Sequence, residues 1–503
     1  MAVARDLAGG TENVIAVAGD AAFTNGISFE ALNNIAEQNK RLIVVLNDNE
    51  WSIDRNVGAI ARYFHRIVTN ERYRNFHDSA TRLVERFGGK AALTAMRRAE
   101  EAAKGMLWPS LLFEEFGLQY FGPIDGHNLP LLIETFKFLK SLDHPVLLHV
   151  LTQKGRGYQP ALDKQKKFHG LGPYDPETGM TEPAGLPSYS EVFANTLTEL
   201  ARKDERIVAI TAAMPSGTGL DLFRPHFPKR YFDVGIAEEH AVIFAAGMAT
   251  RGFRPVCAIY STFLQRGFDP IVHDVCLQKL PVLFCMDRAG LSGDDGPTHH
   301  GLFDIAYLRS VPGLLLMAPK DEDELADMMK TAFDQPGPAA IRYPRGAVVG
   351  TGRKKEPQAL PIGKAEILKD GSDVAILGLG TMMPLAAELA ARLEHDGYSA
   401  ALINPRFIKP LDRETIESYA GHVSAFVTFE DHVKMGGFGT AVVEALDELG
   451  ISVPVVRIGW PDQFIEHGKI SDLRAKYGLT VDAAQAQVLP LLARRRRPAL
   501  VAS

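Results

Sequence analysis

Apolar runs of strand length alternate with segments of helical period along most of the 503 residues. That alternation confines the chain to an α/β fold built on mainly parallel sheets. VIAVAGD (14–20) and RLIVVLNDN (41–49) read as strands. Between them, Ile27, Ala31, Leu32, Ile35 and Ala36 repeat on one face of a 3.6-residue period. A length of 503 implies about three domains at roughly 150 residues each. The expected first domain covers 1–170 and closes with the strand PVLLHVLT (145–152) and the loop KGRGYQP. Its Arg-rich stretch 62–104 reads as a helical insertion or flap outside the core. A Gly/Pro-rich linker covers 171–187. The second domain, 188–352, carries strands RIVAIT, RYFDVG, PVCAIY, KLPVLFCMD and AAIRYP. The third, 353–503, carries DVAILGLG, SAALINP, SAFVTFE and VPVVRI.

Composition removes several classes of function. Lys plus Arg is 55 against 61 for Asp plus Glu, a net charge of −6, which gives no broad basic face for nucleic acid. No apolar run reaches the ~18 residues of a membrane helix. The N-terminus MAVARDLAGG lacks the pattern of a signal peptide. Cys257, Cys276 and Cys285 are too few for a disulfide scaffold and lack metal-ligand spacing, so the expected setting is the cytoplasm. The four arginines at 494–497 read as a solvated end.

The strand ends carry the chemistry. Asp20 stands at the carboxyl end of one strand and Asn47, Asp48 and Asn49 at the end of the next, with one helix between. A right-handed crossover lays such strands side by side or one strand apart. Paired strands lie only about 4.8 Å apart, so Asp20 and Asn49 are expected to meet at the edge where open α/β sheets bind ligands. A carboxylate and an amide oxygen are hard ligands suited to Mg²⁺. In the second domain, Glu238 follows RYFDVG and begins an apolar helix. Tyr260 and Phe263 end or follow PVCAIY. Arg288, Asp295 and His299 follow KLPVLFCMD, and Arg345 follows AAIRYP. In a parallel sheet these ends converge, and two arginines with a tyrosine and a histidine suit a small phosphorylated anion. Gly378-x-Gly380 lacks the third glycine of a dinucleotide fingerprint, because Met383 fills its position. Adjacent His299 and His300 point different ways, which argues against a second metal.

Gly19-Asp20-Ala21, 25 residues and Asn47 resemble the thiamin-diphosphate signature. With it stand LNDNEWSIDRNVGAI (46–60), LFEEFGLQYFGPIDGHN (112–128), TQKGRGYQPA (152–161), FDVGIAEEHAV (232–242), YSTFLQRGFDP (260–270), DRAGLSGDDGPTHHG (287–301), IRYPRG (341–346) and PRFIKPLD (405–412). Together they resemble the 1-deoxy-D-xylulose-5-phosphate synthase family, a branch of the transketolase group, from Met1 to about residue 492. The resemblance implies a transketolase-like, thiamin-diphosphate-binding fold with a diphosphate-binding, a pyrimidine-binding and a C-terminal domain. It implies a homodimer that condenses pyruvate with D-glyceraldehyde 3-phosphate, releasing carbon dioxide. The product, 1-deoxy-D-xylulose 5-phosphate, feeds isoprenoid, thiamin and pyridoxal synthesis. Asp20 and Asn49 are expected to hold Mg²⁺ with the Trp51 carbonyl, and Ala21, Ala22 and Tyr158 to lie near the cofactor. Glu238 is expected to bond N1′ of the aminopyrimidine, which promotes loss of the thiazolium proton, with Phe263 flat against that ring. Tyr260, Arg288 and Arg345 are expected to take the acceptor's phosphate, with Asp295 and His299 beside the reacting carbons and His169 lining the pocket.

The sequence departs from the family in two places. Ala21 stands where the signature has its second glycine, a change expected to be tolerated. Family members carry further N-terminal residues, so the first domain is expected to be truncated, exposing apolar surface and unpaired backbone. The competing readings are another transketolase-group enzyme, such as a dehydrogenase component needing a lipoyl partner, or a non-catalytic product. A dehydrogenase component would lack the phrases at 260–270 and 287–301.

Overall fold

A computed structural model describes residues 1–38, 40–69, 111–181 and 185–496. They form two compact units, Met1–Pro183 with Asp233–Ala237, and Ala184–Phe232 with Glu238–Ser503. The Arg-rich stretch expected as an insertion begins in the helix Gly58–Thr69. From residue 70 to 104 it lies outside the described residues.

The first unit is built on four parallel strands, β1 (Ile15–Gly19), β2 (Ile43–Asp48), β3 (Gln119–Asp125) and β4 (Val146–Leu151), in the order β1-β2-β4-β3. β2 and β4 are central and covered on both faces, so they read as continuous apolar runs. Leu46, Leu147 and Leu148 are fully buried. Phe23, Leu32, Phe64, Phe113 and Tyr120 pack in one core cluster, and Phe121, Phe138 and Leu139 in another. β1 is an edge strand, and Val17 on it is 71% exposed. On the expected apolar face of the intervening helix Gly26–Gln38, among the described side chains, Leu32 is buried and Ile35 half-buried against the core, while Ile27 and Ala31 stay exposed.

In the second unit, Ser188 caps the helix Tyr189–Lys203 through a reciprocal bond with Glu191, which ends the linker at a defined residue. Seven strands follow in one sheet and five in another. They are β5 (Ile207–Thr211), β6 (Tyr231–Asp233), β7 (Arg254–Tyr260), β8 (Leu283–Asp287), β9 (Leu315–Met317), β10 (Ala339–Arg342), β11 (Glu366–Lys369), β12 (Val374–Gly378), β13 (Ala400–Asn404), β14 (Phe407–Lys409), β15 (Ala425–Val433) and β16 (Val455–Trp460). The sheet orders are β14-β9-β10-β8-β7-β5-β6 and β11-β13-β12-β15-β16. β5, β7, β8, β9 and β10 run parallel, so their carboxyl ends share one edge. The second and third sequence blocks therefore keep separate sheets within a single unit. β14, which lies in the third block by sequence, crosses to pair antiparallel with β9 of the second. Beside it Arg406 and Asn404 bond the buried Glu324.

Candidate active site

In the first unit β1 and β2 are direct neighbours, with Gly19 in register with Asn47. The carboxyl group of Asp20 thus meets the loop after β2. Its Oδ2 accepts from the Glu50 amide at 2.9 Å and from Asn56 Nδ2 at 2.6 Å. Glu50 is driven into the left-handed region, at φ +64°. Asp20 is 4% exposed, and its Oδ1 is buried without a partner among the described residues. Burial, helped by the charge of Asp48 alongside, lifts the Asp20 carboxyl to about 7. Burial also raises Asp48, but the bond and charge of His149 outweigh it and hold Asp48 below the usual carboxylate range. His149 is fully buried, 2.9 Å from Asp48 Oδ2 through Nε2 and 2.7 Å from the Tyr120 hydroxyl through Nδ1. A polar chain thus crosses the sheet from β1 to β3. Asn49 Oδ1 accepts from the Trp51 amide at 3.0 Å, closing a turn past β2. A cavity of about 350 Å³ is lined by Asp20, Asp48, Glu50, Asn56 and His65 among others, but not by Asn49 or Trp51.

Among the described residues no three His, Cys, Asp or Glu side chains form a metal nest. A cation here would take the orphan oxygen of Asp20 together with amide or backbone oxygens, a donor set that fits a hard divalent ion. Ala21 is buried and Ala22 half-buried in the turn Asp20–Thr24. Lys154 joins two other expected residues, with its Nζ 2.7 Å from His169 Nδ1 and 5.8 Å from the centre of the Trp51 ring. Tyr158 sets its ring against Phe168, the neighbour of His169, and against Tyr174, and its hydroxyl donates to the Pro176 carbonyl.

In the second unit Glu238 is the first residue of the helix Glu238–Ala249. It is 3% exposed, and its Oε2 is buried without a partner among the described residues. Burial lifts this carboxyl from 4.5 to about 7, against a smaller pull from Arg266. The helix packs on β7, which ends in Tyr260. The Tyr260 ring stacks on Phe263 at 5.5 Å and 18°, and the Arg288 guanidinium lies 3.8 Å from its centre on this buried tyrosine. Phe263 meets His299 edge-on at 5.4 Å. Arg345 pairs with Asp295, and both stand close enough to bias the Tyr260 hydroxyl. The expected acceptor residues are therefore brought together at the shared edge of β7, β8 and β10.

Sequence reasoning missed what holds Arg288. It follows β8 at φ +57°, and its Nη1 donates to Asp287 Oδ1 and to the Gly217 carbonyl, each at 2.8 Å. Asp287 is fully buried and accepts from Ser190 Oγ at 2.5 Å. His300 turns away from His299, bonding the Ser292 amide and facing the Glu466 carbonyl.

Edge residues of this kind on parallel sheets define an enzyme of the transketolase type. The transketolase pyrimidine-binding domain matches residues 186–350 and the transketolase C-terminal domain 363–483. Residues 1–152 match the 1-deoxy-D-xylulose-5-phosphate synthase model. The chain is 71% identical over 494 residues to the 1-deoxy-D-xylulose-5-phosphate synthase of Acidobacterium capsulatum, covering 98% of this chain and 79% of that protein. It is 64% identical over 492 residues to that of Methylacidiphilum infernorum, covering 98% and 78%. A solved split-gene transketolase, described as an inactive β4 tetramer, aligns at 32% identity with a TM-score of 0.55, over 62% of this chain and all of that one. The chain belongs to the 1-deoxy-D-xylulose-5-phosphate synthase family, whose transketolase character implies thiamin diphosphate.

Proposed function

We propose that this chain is a transferase that condenses pyruvate with D-glyceraldehyde 3-phosphate to 1-deoxy-D-xylulose 5-phosphate and carbon dioxide, an entry to isoprenoid, thiamin and pyridoxal synthesis. Bound thiamin diphosphate supplies the carbon nucleophile and the electron sink. The observation that carries the reading is Glu238, a buried carboxyl with an unpartnered oxygen, lifted to about 7. Such a group can share a proton with a ring nitrogen near neutral pH. Glu238 holds the proton at N1′ of the aminopyrimidine, and Phe263 offers that ring a flat apolar face. Asp20 and Asn49 hold Mg²⁺ with the Trp51 carbonyl, and Ala21, Ala22 and Tyr158 border the cofactor. Arg288, Arg345 and Tyr260 bind the acceptor's phosphate, Arg through its planar fork. Asp295 and His299 flank the reacting carbons, and His169 lines the substrate pocket.

A homodimer and a cytoplasmic setting belong to the same reading. The three cysteines are free and buried. Among the described residues no helix is long and apolar enough to cross a membrane. The test supplies both substrates, thiamin diphosphate and Mg²⁺, and follows 1-deoxy-D-xylulose 5-phosphate. Formation of that sugar phosphate, abolished by Glu238→Gln, is the expected outcome. Release of carbon dioxide from pyruvate without the sugar phosphate would point to another transketolase-group reaction.

A further inference from the structure

Two of the acceptor residues are gripped by a loop that carries no assigned role. β5 lies directly beside β7, and the loop 212–219 follows it at the same sheet edge. Met214 Sδ accepts from the Tyr260 amide at 3.4 Å. The Gly217 carbonyl accepts from Arg288 Nη1 at 2.8 Å. Gly217 also makes room. A Cβ on it would stand 1.6 Å from the Tyr260 hydroxyl oxygen and 2.6 Å from the ring carbon that bears it. The hydroxyl therefore occupies the volume that any other residue would fill.

Backbone strain marks the same place. Ala213 takes φ +61° and Arg288 φ +57°, conformations that an L-residue keeps only where its surroundings hold it. Asp287, braced by Ser190, holds Arg288 from one side and Gly217 from the other. Among the described residues those bonds engage Nη1 alone, and the side chain is only 14% exposed. Nη2 and Nε remain for a ligand. The Tyr260 ring packs against both Arg288 and Phe263, so its position is fixed by the guanidinium, the ring and the bare backbone of Gly217. Donors held in place before binding lose less freedom when the ligand arrives.

We propose that the loop 212–219, through Gly217, determines specificity for a phosphorylated acceptor by seating the Tyr260 hydroxyl and the Arg288 guanidinium as one preformed phosphate site. The inference rests on the reading of Tyr260 and Arg288 as phosphate ligands. Gly217 is a positioning residue, acting through those two side chains.

The experiment titrates the full chain calorimetrically with D-glyceraldehyde 3-phosphate and with unphosphorylated D-glyceraldehyde. Gly217→Ala is expected to weaken the phosphorylated ligand about tenfold or more relative to the unphosphorylated one, the loss of one charge-assisted bond. In turnover the same change raises KM for the phosphorylated acceptor more than it lowers kcat. In a Tyr260→Ala background, Gly217→Ala is expected to add less than about twofold, because both act on one seat. Equal weakening of both ligands, or full additivity with Tyr260→Ala, overturns the proposal. Arg288→Ala separates the two levels. If it leaves the phosphate preference intact, the phosphate reading itself is wrong. If it abolishes the preference and Gly217→Ala does not reduce it, only the role of the loop is wrong. Should Gly217→Ala fail to melt cooperatively, Met214→Leu removes the acceptor of the Tyr260 amide at similar volume. It must shift the preference the same way, and an unchanged preference overturns the proposal.

Discussion

Glu238→Gln should make the protein more stable and less active, and the size of the stability gain follows from the structure. The carboxyl is 3% exposed, with one oxygen unpartnered, and its pKa rises from 4.5 to about 7 on burial. The unfolded chain ionises near 4.5 and the folded chain only near 7. Between those values the folded state binds more protons, so stability falls as pH rises. At about 1.4 kcal/mol for each pH unit, the rise from 4.5 to about 7 amounts to about 3 kcal/mol. That destabilisation is absent below pH 4.5 and complete above about pH 7. Glutamine has nearly the same shape and carries no charge. Glu238→Gln should therefore exceed the wild type by about 3 kcal/mol at pH 8 and match it at pH 4.5. With a domain midpoint moving about 2–4 °C per kcal/mol, thermal melts at the two pH values resolve the difference. Turnover of the same variant should collapse. A variant no more stable than wild type at pH 8 would refute the argument from burial, and one with full turnover would refute the cofactor role.

Other consequences are more local. Gly371→Ala sets a Cβ 2.3 Å from the backbone of Ala400 and Ala401, so it should cost about 3 kcal/mol in denaturant unfolding. Gly247→Ala, on an open face of the helix Glu238–Ala249, should add up to about 1 kcal/mol in the same assay. His149→Ala strands the buried Asp48 carboxylate and should cost about 3–5 kcal/mol, measured as the lost unfolding free energy of the first unit. Asp20→Asn should weaken Mg²⁺ binding by roughly tenfold or more in a calorimetric titration, and an unchanged affinity would remove Asp20 from the ligand set.

The strands that sequence reveals are those buried on both faces. β2, β4, β8 and β12 are apolar along most of their length because sheet and helices cover them. β9 and β14 are three residues each, too short for any period to register, and their pairing is one of the links that join the second and third blocks. β3 interrupts its apolar run with Gly122-Pro123. At the site, Asp20, Tyr260 and Arg288 were legible because each sits at or just past the end of a readable strand, where parallel topology gathers ligand-binding groups. Their supports were not. Ser190 reaches Asp287 across 97 residues and His149 reaches Asp48 across 101. Gly217 acts through a missing side chain, so its role shows only when the Tyr260 hydroxyl is seen in the space it leaves.

Glu322 apart, the buried acids that keep an oxygen nothing among the described residues satisfies are Asp20 in the first unit and Glu238 in the second. Both are lifted to about 7, chiefly by burial. An unpartnered buried acceptor costs about 1–3 kcal/mol, and each could be relieved by an amide or hydroxyl neighbour. Asp48, only a strand away from Asp20, has that relief in His149 and stays low. Glu430 is lifted to about 7 like Glu238, but it accepts from the Phe438 and Gly439 amides. Burial alone is thus not what sets Asp20 and Glu238 apart. What they share is an open valence, and a hard cation at Asp20 or a ring nitrogen at Glu238 is the kind of partner that closes it. The cost of keeping those oxygens open is then the same quantity that such a partner recovers, which is why the neutral Gln at 238 should stabilise the fold and silence the chemistry together.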